Sequence, residues 1–121
     1  MKRLVFDSSF LMAVSERPTG WESEIVALLG GVEFIMLSCV RDELAAIASG
    51  TGWRSRSARV ALQLAGGFSV EGSGGADVDA EVVSAGSAGA AVATVDGEMI
   101  ATLKARRVAV VSLRGGRVAL L

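Results

Sequence analysis

The chain has 121 residues, 51% of them apolar, with twelve Lys and Arg against thirteen Asp and Glu, no histidine and a single cysteine. That length supports one domain around one core and leaves no room for a second, while a net charge near zero excludes a strong overall field for a polyanion, so nucleic-acid contacts must come from local patches. Lone Cys39 excludes an internal disulfide, the missing histidine excludes Cys/His zinc sites and Ser-His-Asp or Cys-His nucleophile systems, and a cytoplasmic protein is expected.

The elements alternate. Residues 3 to 6 form a short apolar run ending at Asp7, the pattern of a strand buried on both faces of a parallel sheet. Lys2-Arg3 followed by apolar residues does not make a signal peptide, because Asp7 interrupts the run, and nothing approaches the roughly 18 apolar residues of a membrane span. A short helix is expected from Ser8 to about Val14, broken by Arg17-Pro18-Thr19-Gly20, and a second from Trp21 to Leu29, ended by Gly30-Gly31. Val32 to Leu37 reads as the second strand, Cys39 to Ala48 as a third helix, and Ser49-Gly50-Thr51-Gly52 as a loop before a helix from Trp53 to Ala65. A short strand from Phe68 to Val70, a glycine loop from Gly72 to Gly75 and a helix from Asp77 to Ala88 follow. Ala91 to Val95 is the next buried strand, ending at Asp96; a helix from Gly97 to about Ala105 precedes a strand from Val108 to Leu113. Arg114-Gly115-Gly116-Arg117 reads as a tight turn into a last strand, Val118 to Leu121; a single RGG between apolar strands is a hairpin turn rather than an RNA-binding repeat.

Asp7 and Asp96 each stand where an apolar strand leaves the core. In open α/β sheets ligands bind outside the carboxyl ends of the strands, so the two carboxylates are candidates for a shared site. In the third helix Val40, Leu44 and Ile47 define a buried stripe that Glu43 borders, which lets Glu43 reach the same crevice, whereas Asp42 points toward solvent. Two aspartates open the helix after the glycine loop: Asp79 shares a face with Val83, and Asp77 is placed to cap the N-terminus. Capping is also the plain reading of Asp7 and Asp96. No P-loop, dinucleotide fingerprint or G-x-S-x-G elbow is present. Carboxylates, hydroxyls, Lys and Arg remain, an inventory suited to hard cations such as Mg²⁺ and Mn²⁺, and four converging carboxylates would repel unless a cation neutralised them.

Val5-Phe6-Asp7-Ser8-Ser9-Phe10-Leu11-Met12, Leu37-Ser38-Cys39-Val40-Arg41-Asp42-Glu43-Leu44 and Val92-Ala93-Thr94-Val95-Asp96-Gly97-Glu98-Met99 resemble successive motifs of the PIN-domain family. The tail from Val108 to Arg117 resembles that of small stand-alone archaeal members. The resemblance implies a three-layer α/β/α sandwich with a mainly parallel five-stranded sheet, residues 1–121 as one nuclease domain, and an endoribonuclease activity dependent on Mg²⁺ or Mn²⁺. It implies Asp7, Glu43, Asp79 and Asp96 as the catalytic acids that hold one or two ions, with Ser8 and Thr94 orienting carboxylates or waters. Members often carry paired aspartates in the third motif; here Ala76-Asp77-Val78-Asp79 separates them, and both Asp77 and Asp79 are candidate ligands. Ser9 stands where Asn is common.

Arg54, Arg56 and Arg59 beside the glycine-rich loop are candidate RNA-binding residues, and Lys104, Arg106, Arg107, Arg114 and Arg117 form a second basic stretch. Trp53 is expected to close onto the core, with base stacking the alternative. Phe10, Met12 and Trp21 are candidates for apolar contact with a homodimer mate or an inhibitory or processing protein. Three functions follow: an RNA-cleaving enzyme in ribosomal RNA processing, favoured by the tail; the toxin of a toxin-antitoxin pair; or a non-catalytic RNA-binding scaffold. A phospho-receiver domain fits worse, lacking adjacent acids after the first strand, and so does a haloacid-dehalogenase-like phosphatase, which would need Asp at Ser9.

Overall fold

The computed structural model describes residues 2–17, 20–75 and 77–121. Pro18 and Thr19 of the expected helix break, and Ala76 of the third motif, lie outside them. In chain order the elements are β1 (Lys2–Phe6), α1 (Ser8–Ser15), α2 (Trp21–Leu29), β2 (Val32–Leu37), α3 (Ser38–Ala48), α4 (Trp53–Leu64), β3 (Ser69–Glu71), α5 (Val78–Ser87), β4 (Ala91–Ala93), α6 (Gly97–Ala105), β5 (Val110–Arg114) and β6 (Arg117–Leu120).

The described strands form one sheet in the order β3-β2-β1-β4-β5-β6, parallel except for the antiparallel pair β5–β6. The sheet therefore has six strands rather than five. The hairpin adds the sixth, because Gly115 (φ +59°) and Gly116 (φ +78°) supply the two positive φ values a tight turn between twisted strands requires. From β1 the chain moves outward through β2 to β3, then returns to the other side of β1 through β4. That reversal between β1 and β4 is a topological switch point, and the crevice beyond the strand ends there is where ligands of such sheets bind.

Helices cover both faces, completing the α/β/α layering. Leu4, Val5 and Phe6 of β1 and Val92 and Ala93 of β4 are fully buried, the burial expected of central parallel strands. Phe6, Phe10, Trp21, Phe34 and Phe68 pack around one another mostly edge to face or tilted, with Trp21 and Phe34 stacked, and centroids 4.7–6.4 Å apart. Phe10 and Trp21 are thus core residues, 0% and 2% exposed, and the expectation that they contact a partner is overturned. The first turns of α1 and α2 are amphipathic, and these aromatics occupy their inner stripes. Met12, half-buried, packs against the core.

Two strand boundaries shift by two residues from expectation for local reasons, the other shifts being of one residue. β4 stops at Ala93, not Val95, because the Val95 and Asp96 amides turn to the hydroxyls of Ser9 and Thr94 instead of the ladder. β5 starts at Val110, not Val108, because the Val108 amide donates to Leu103 O and closes the end of α6. At the hairpin edge the Val118 amide of β6 donates to the Glu24 carboxylate of α2 at 3.1 Å.

Gly86 lets α5 approach the sheet. It is buried, and a Cβ there would lie 2.9 Å from Val108 Cγ1, 3.1 Å from Val92 Cγ2 and 3.2 Å from Leu103 Cδ2. Gly86→Ala gains about 1 kcal/mol in helix propensity but overpacks the α5–β4–α6 junction at a cost of about 1–3 kcal/mol. The expected outcome is a net loss of about 1 kcal/mol, read as a lower urea midpoint with an unchanged slope.

Candidate active site

The register Leu4↔Ala91, Val5↔Val92, Phe6↔Ala93 brings the ends of β1 and β4 side by side, and the Asp7 amide continues the ladder by donating to Ala93 O at 2.9 Å. Asp7 is 4% exposed. Its Oδ2 accepts from Ser9 Oγ at 2.5 Å, Thr94 Oγ1 at 3.0 Å and the Ser9 amide at 3.3 Å. Each hydroxyl is itself held by backbone: Ser9 Oγ accepts from the Val95 amide and Thr94 Oγ1 from the Asp96 amide, both at 3.1 Å. Thr94 is fully buried, so its hydroxyl has no water to fall back on. Two donor chains thus run from the end of β4 through hydroxyls onto one oxygen of Asp7. Among the described residues the other Asp7 oxygen accepts no hydrogen bond.

Asp96 opens α6 in the same divided manner. Its Oδ1 accepts from the Glu98 and Met99 amides at 2.9 and 3.2 Å, satisfying free N–H groups of the first turn. Capping and the pocket-lining position coexist at Asp7 and Asp96, because a carboxylate has two oxygens. Glu43 reaches over from α3 and accepts from Ser8 Oγ at 2.5 Å, which ties α3 to the start of α1. Asp77 caps α5 through the Ala80 amide at 3.2 Å and faces a groove with Glu98, Thr102 and Arg106. Asp79, two residues further along, lines both that groove and the main pocket.

One pocket is lined by Asp7, Glu43, Asp79 and Asp96 together. Although Asp79 is solvent-exposed, partial desolvation, followed by the negative charges of Asp7, Asp96, Glu43 and Asp77, pushes its carboxyl above the ordinary value of 3.8. Hard carboxylate oxygens around a site of accumulated negative charge suit Mg²⁺ or Mn²⁺ by donor chemistry. Among the described residues no three acids or cysteines are close enough to make a preassembled cage, so the ring is open.

The pocket also contains residues that the sequence did not single out. Glu16 lines it from the end of α1, and Ser9 is the hydroxyl closest to Asp7. The spacing of Ser8, Ser9, Met12, Ala13 and Glu16 along one face of α1 is the signal that could have found both. The three arginines of α4 part company: Arg54 lines the pocket, Arg56 is exposed outside it, and Arg59 donates to Ala48 O at 2.7 Å, closing the end of α3. Of the second basic stretch, Arg106 borders the α5–α6 groove and Arg117 pairs with Glu24 at 3.7 Å. Trp53, expected in the core, is 63% exposed and lines the acidic pocket. It is the first residue of α4, and Gly52 before it (φ +93°) turns the chain so that this position faces outward.

A mainly parallel sheet that reverses its order between β1 and β4 and gathers four carboxylates at the reversal defines an α/β protein with an acidic site at its switch point. The model of the PIN-like domain family matches residues 4–116, and the chain belongs to that family, whose members are typically nucleases. Its structure is similar to that of the PIN domain endonuclease Utp24, with a TM-score of 0.73, 19% identity, and coverage of 98% of this chain and 90% of that one. It is also similar to a domain of a functionally unknown protein from Methanocaldococcus jannaschii (TM-score 0.62, 16% identity, 95% and 93% coverage). A third similar structure is PAE2754 from Pyrobaculum aerophilum (TM-score 0.55, 17% identity, 84% and 79% coverage). No curated protein matches the chain. Among the described residues no helix is long and apolar enough to cross a membrane.

Two stability measurements check this geometry. Thr94→Val removes a donor from Asp7 and an acceptor from the Asp96 amide in a dry site, and is expected to cost about 1–3 kcal/mol by chemical denaturation, with Thr94→Ser largely restored. Because the Asp79 carboxyl is raised in the folded state, the native protein binds more protons than the unfolded chain just above pH 3.8. Stability therefore falls as pH rises through that window, and the deficit persists at neutral pH. In EDTA at pH 7 and low salt, Asp79→Asn should raise the melting temperature by about 1–2 °C, a gain limited by solvent screening and reduced when salt is added.

Proposed function

We propose that residues 1–121 form one nuclease domain that hydrolyses RNA phosphodiester bonds internally with Mg²⁺ or Mn²⁺. The observation that carries this reading is the convergence of Asp7, Glu43, Asp79 and Asp96 on one pocket at the switch point of a PIN-like fold. These four would hold the ion or ions, with Asp77 in reserve on the neighbouring groove. When bound, such an ion supplies Lewis-acid stabilisation of the charge that develops on a phosphodiester as water attacks it.

The protein's own groups prepare that site. Ser9 and Thr94 fix one oxygen of Asp7, so the other is presented without freedom to rotate away. Ser8 holds Glu43 against α1, and the α6 amides hold one oxygen of Asp96. Arg54, on the pocket rim, is placed to take a phosphate of the substrate backbone. Arg106, across the α5–α6 groove, offers a second phosphate contact. Processing of structured RNA such as ribosomal RNA is favoured within this reading by the likeness of the β5–β6 tail to small stand-alone archaeal members, and a cytoplasmic location fits the lone cysteine.

The test is cleavage of a structured RNA by the purified protein in Mn²⁺ or Mg²⁺ and in EDTA, beside Asp7→Asn and Asp96→Asn. Cleavage is expected with metal only, and each variant is expected to lose more than about 100-fold, with Ser9→Ala losing about 10–100-fold. Full activity in EDTA, or in both Asn variants, would overturn the assignment.

A further inference from the structure

We infer that Trp53 is a stacking platform for one base of the RNA beside the acidic pocket. The inference rests on the nuclease reading for its ligand and adds the side chain that receives a base.

Trp53 is the most exposed large apolar side chain among the described residues, at 63%, while the chain's other tryptophan, Trp21, is 2% exposed within the aromatic cluster. A fold that encloses one indole so fully has left the other in water, and it has done so at the edge of the pocket that holds the four acids. Met12 and Ile47 give this end of the pocket an apolar lining, and Arg54 adds a cation next to the indole. A flat π-surface, an apolar wall and a guanidinium match the parts of a nucleotide: base, sugar and phosphate.

The platform is fixed in place. Gly52 turns the chain in a conformation that side-chain-bearing residues rarely adopt, and the Arg56 amide donates back to Gly52 O at 3.1 Å. Ser55 Oγ donates to Thr51 O at 3.2 Å, and Arg59 ties α4 to the end of α3 through Ala48 O at 2.7 Å. A rigid aromatic loses little freedom when a base lands on it, which favours binding.

Stacking on a protein ring requires a base whose own face is free. In an A-form duplex both faces are covered by neighbouring pairs, so a blunt duplex is the control that such a ring cannot stack on.

The experiment is tryptophan fluorescence of the full chain in EDTA, titrated with a single-stranded RNA of roughly 12 nucleotides and with the same strand in a blunt duplex. Emission from the exposed indole should be quenched by the single strand and much less by the duplex; Trp53→Phe should abolish the quench, because Trp21 is enclosed. Trp53→Ala should weaken single-strand binding about tenfold and Trp53→Phe less than about threefold, the pattern of a lost stack rather than a lost fold. In Mn²⁺ the Ala variant should raise KM with little change in kcat. Equal quenching by both RNAs, no quenching, or Ala-variant binding within about twofold of the parent would overturn the inference. Quenching without metal-dependent cleavage would leave the stacking platform standing and overturn the nuclease reading, whereas metal-dependent cleavage untouched by Trp53→Ala would do the reverse.

Discussion

Two hydroxyls that bridge β4 to Asp7 determine how the rest of the site is arranged. Ser9 and Thr94 each receive a backbone N–H from the residues just after β4 and pass a hydrogen bond to the same carboxylate oxygen. This one junction ends β4, starts α1, aligns two strand ends that pair in parallel and immobilises a buried carboxylate. A buried charge is costly unless it is hydrogen-bonded, and here one oxygen of Asp7 is held by groups whose own acceptors are also satisfied. Asp96 is positioned as a consequence, since its amide is one of the donors that build the junction.

The other acids come from elements held by weaker means. Glu43 is fixed by a single hydroxyl, and Asp79 by the seating of α5, which depends on Gly86 letting that helix settle onto β4 and α6. The result is graded: a rigid buried carboxylate at the centre, a capped one beside it and more adjustable ones around the rim. Partial desolvation, followed by the negative charge of its acidic neighbours, raises the carboxyl of Asp79, the exposed member.

The alternating order of elements and the two apolar runs ending in Asp7 and Asp96 were legible because buried parallel strands leave an uninterrupted apolar signature. Glu43 and Asp79 were also readable, each from its spacing against apolar neighbours on one helix. Ser9 was not, because its importance lies in a hydrogen bond accepted from the Val95 amide, 86 positions away, that no local pattern records. Trp53 was misread for a related reason. A tryptophan's usual place is the core, and only the backbone turn at Gly52 decides that this one faces out. The shortening of β4 has the same character, since amides leave the ladder for side chains whose proximity the sequence does not announce. Periodicity reports what a residue packs against within its own element, and it is silent about what meets across the switch point.

The hydrogen bond from the Val118 amide to Glu24 bears on how the molecule behaves in a crowded solution. β6 is the last strand of the sheet, and an open edge offers a row of amides on which another chain's strand can grow. Glu24 places a charged acceptor on one of those amides, and Arg117 beside it adds a second charge to the rim. The opposite edge is protected differently: β3 has only three residues, too few to template a partner, and its end carries the ion pair of Glu71 with Arg3. Both borders of the described sheet are thereby made poor templates for edge-to-edge aggregation, while the buried apolar strands β1 and β4 lie at its centre.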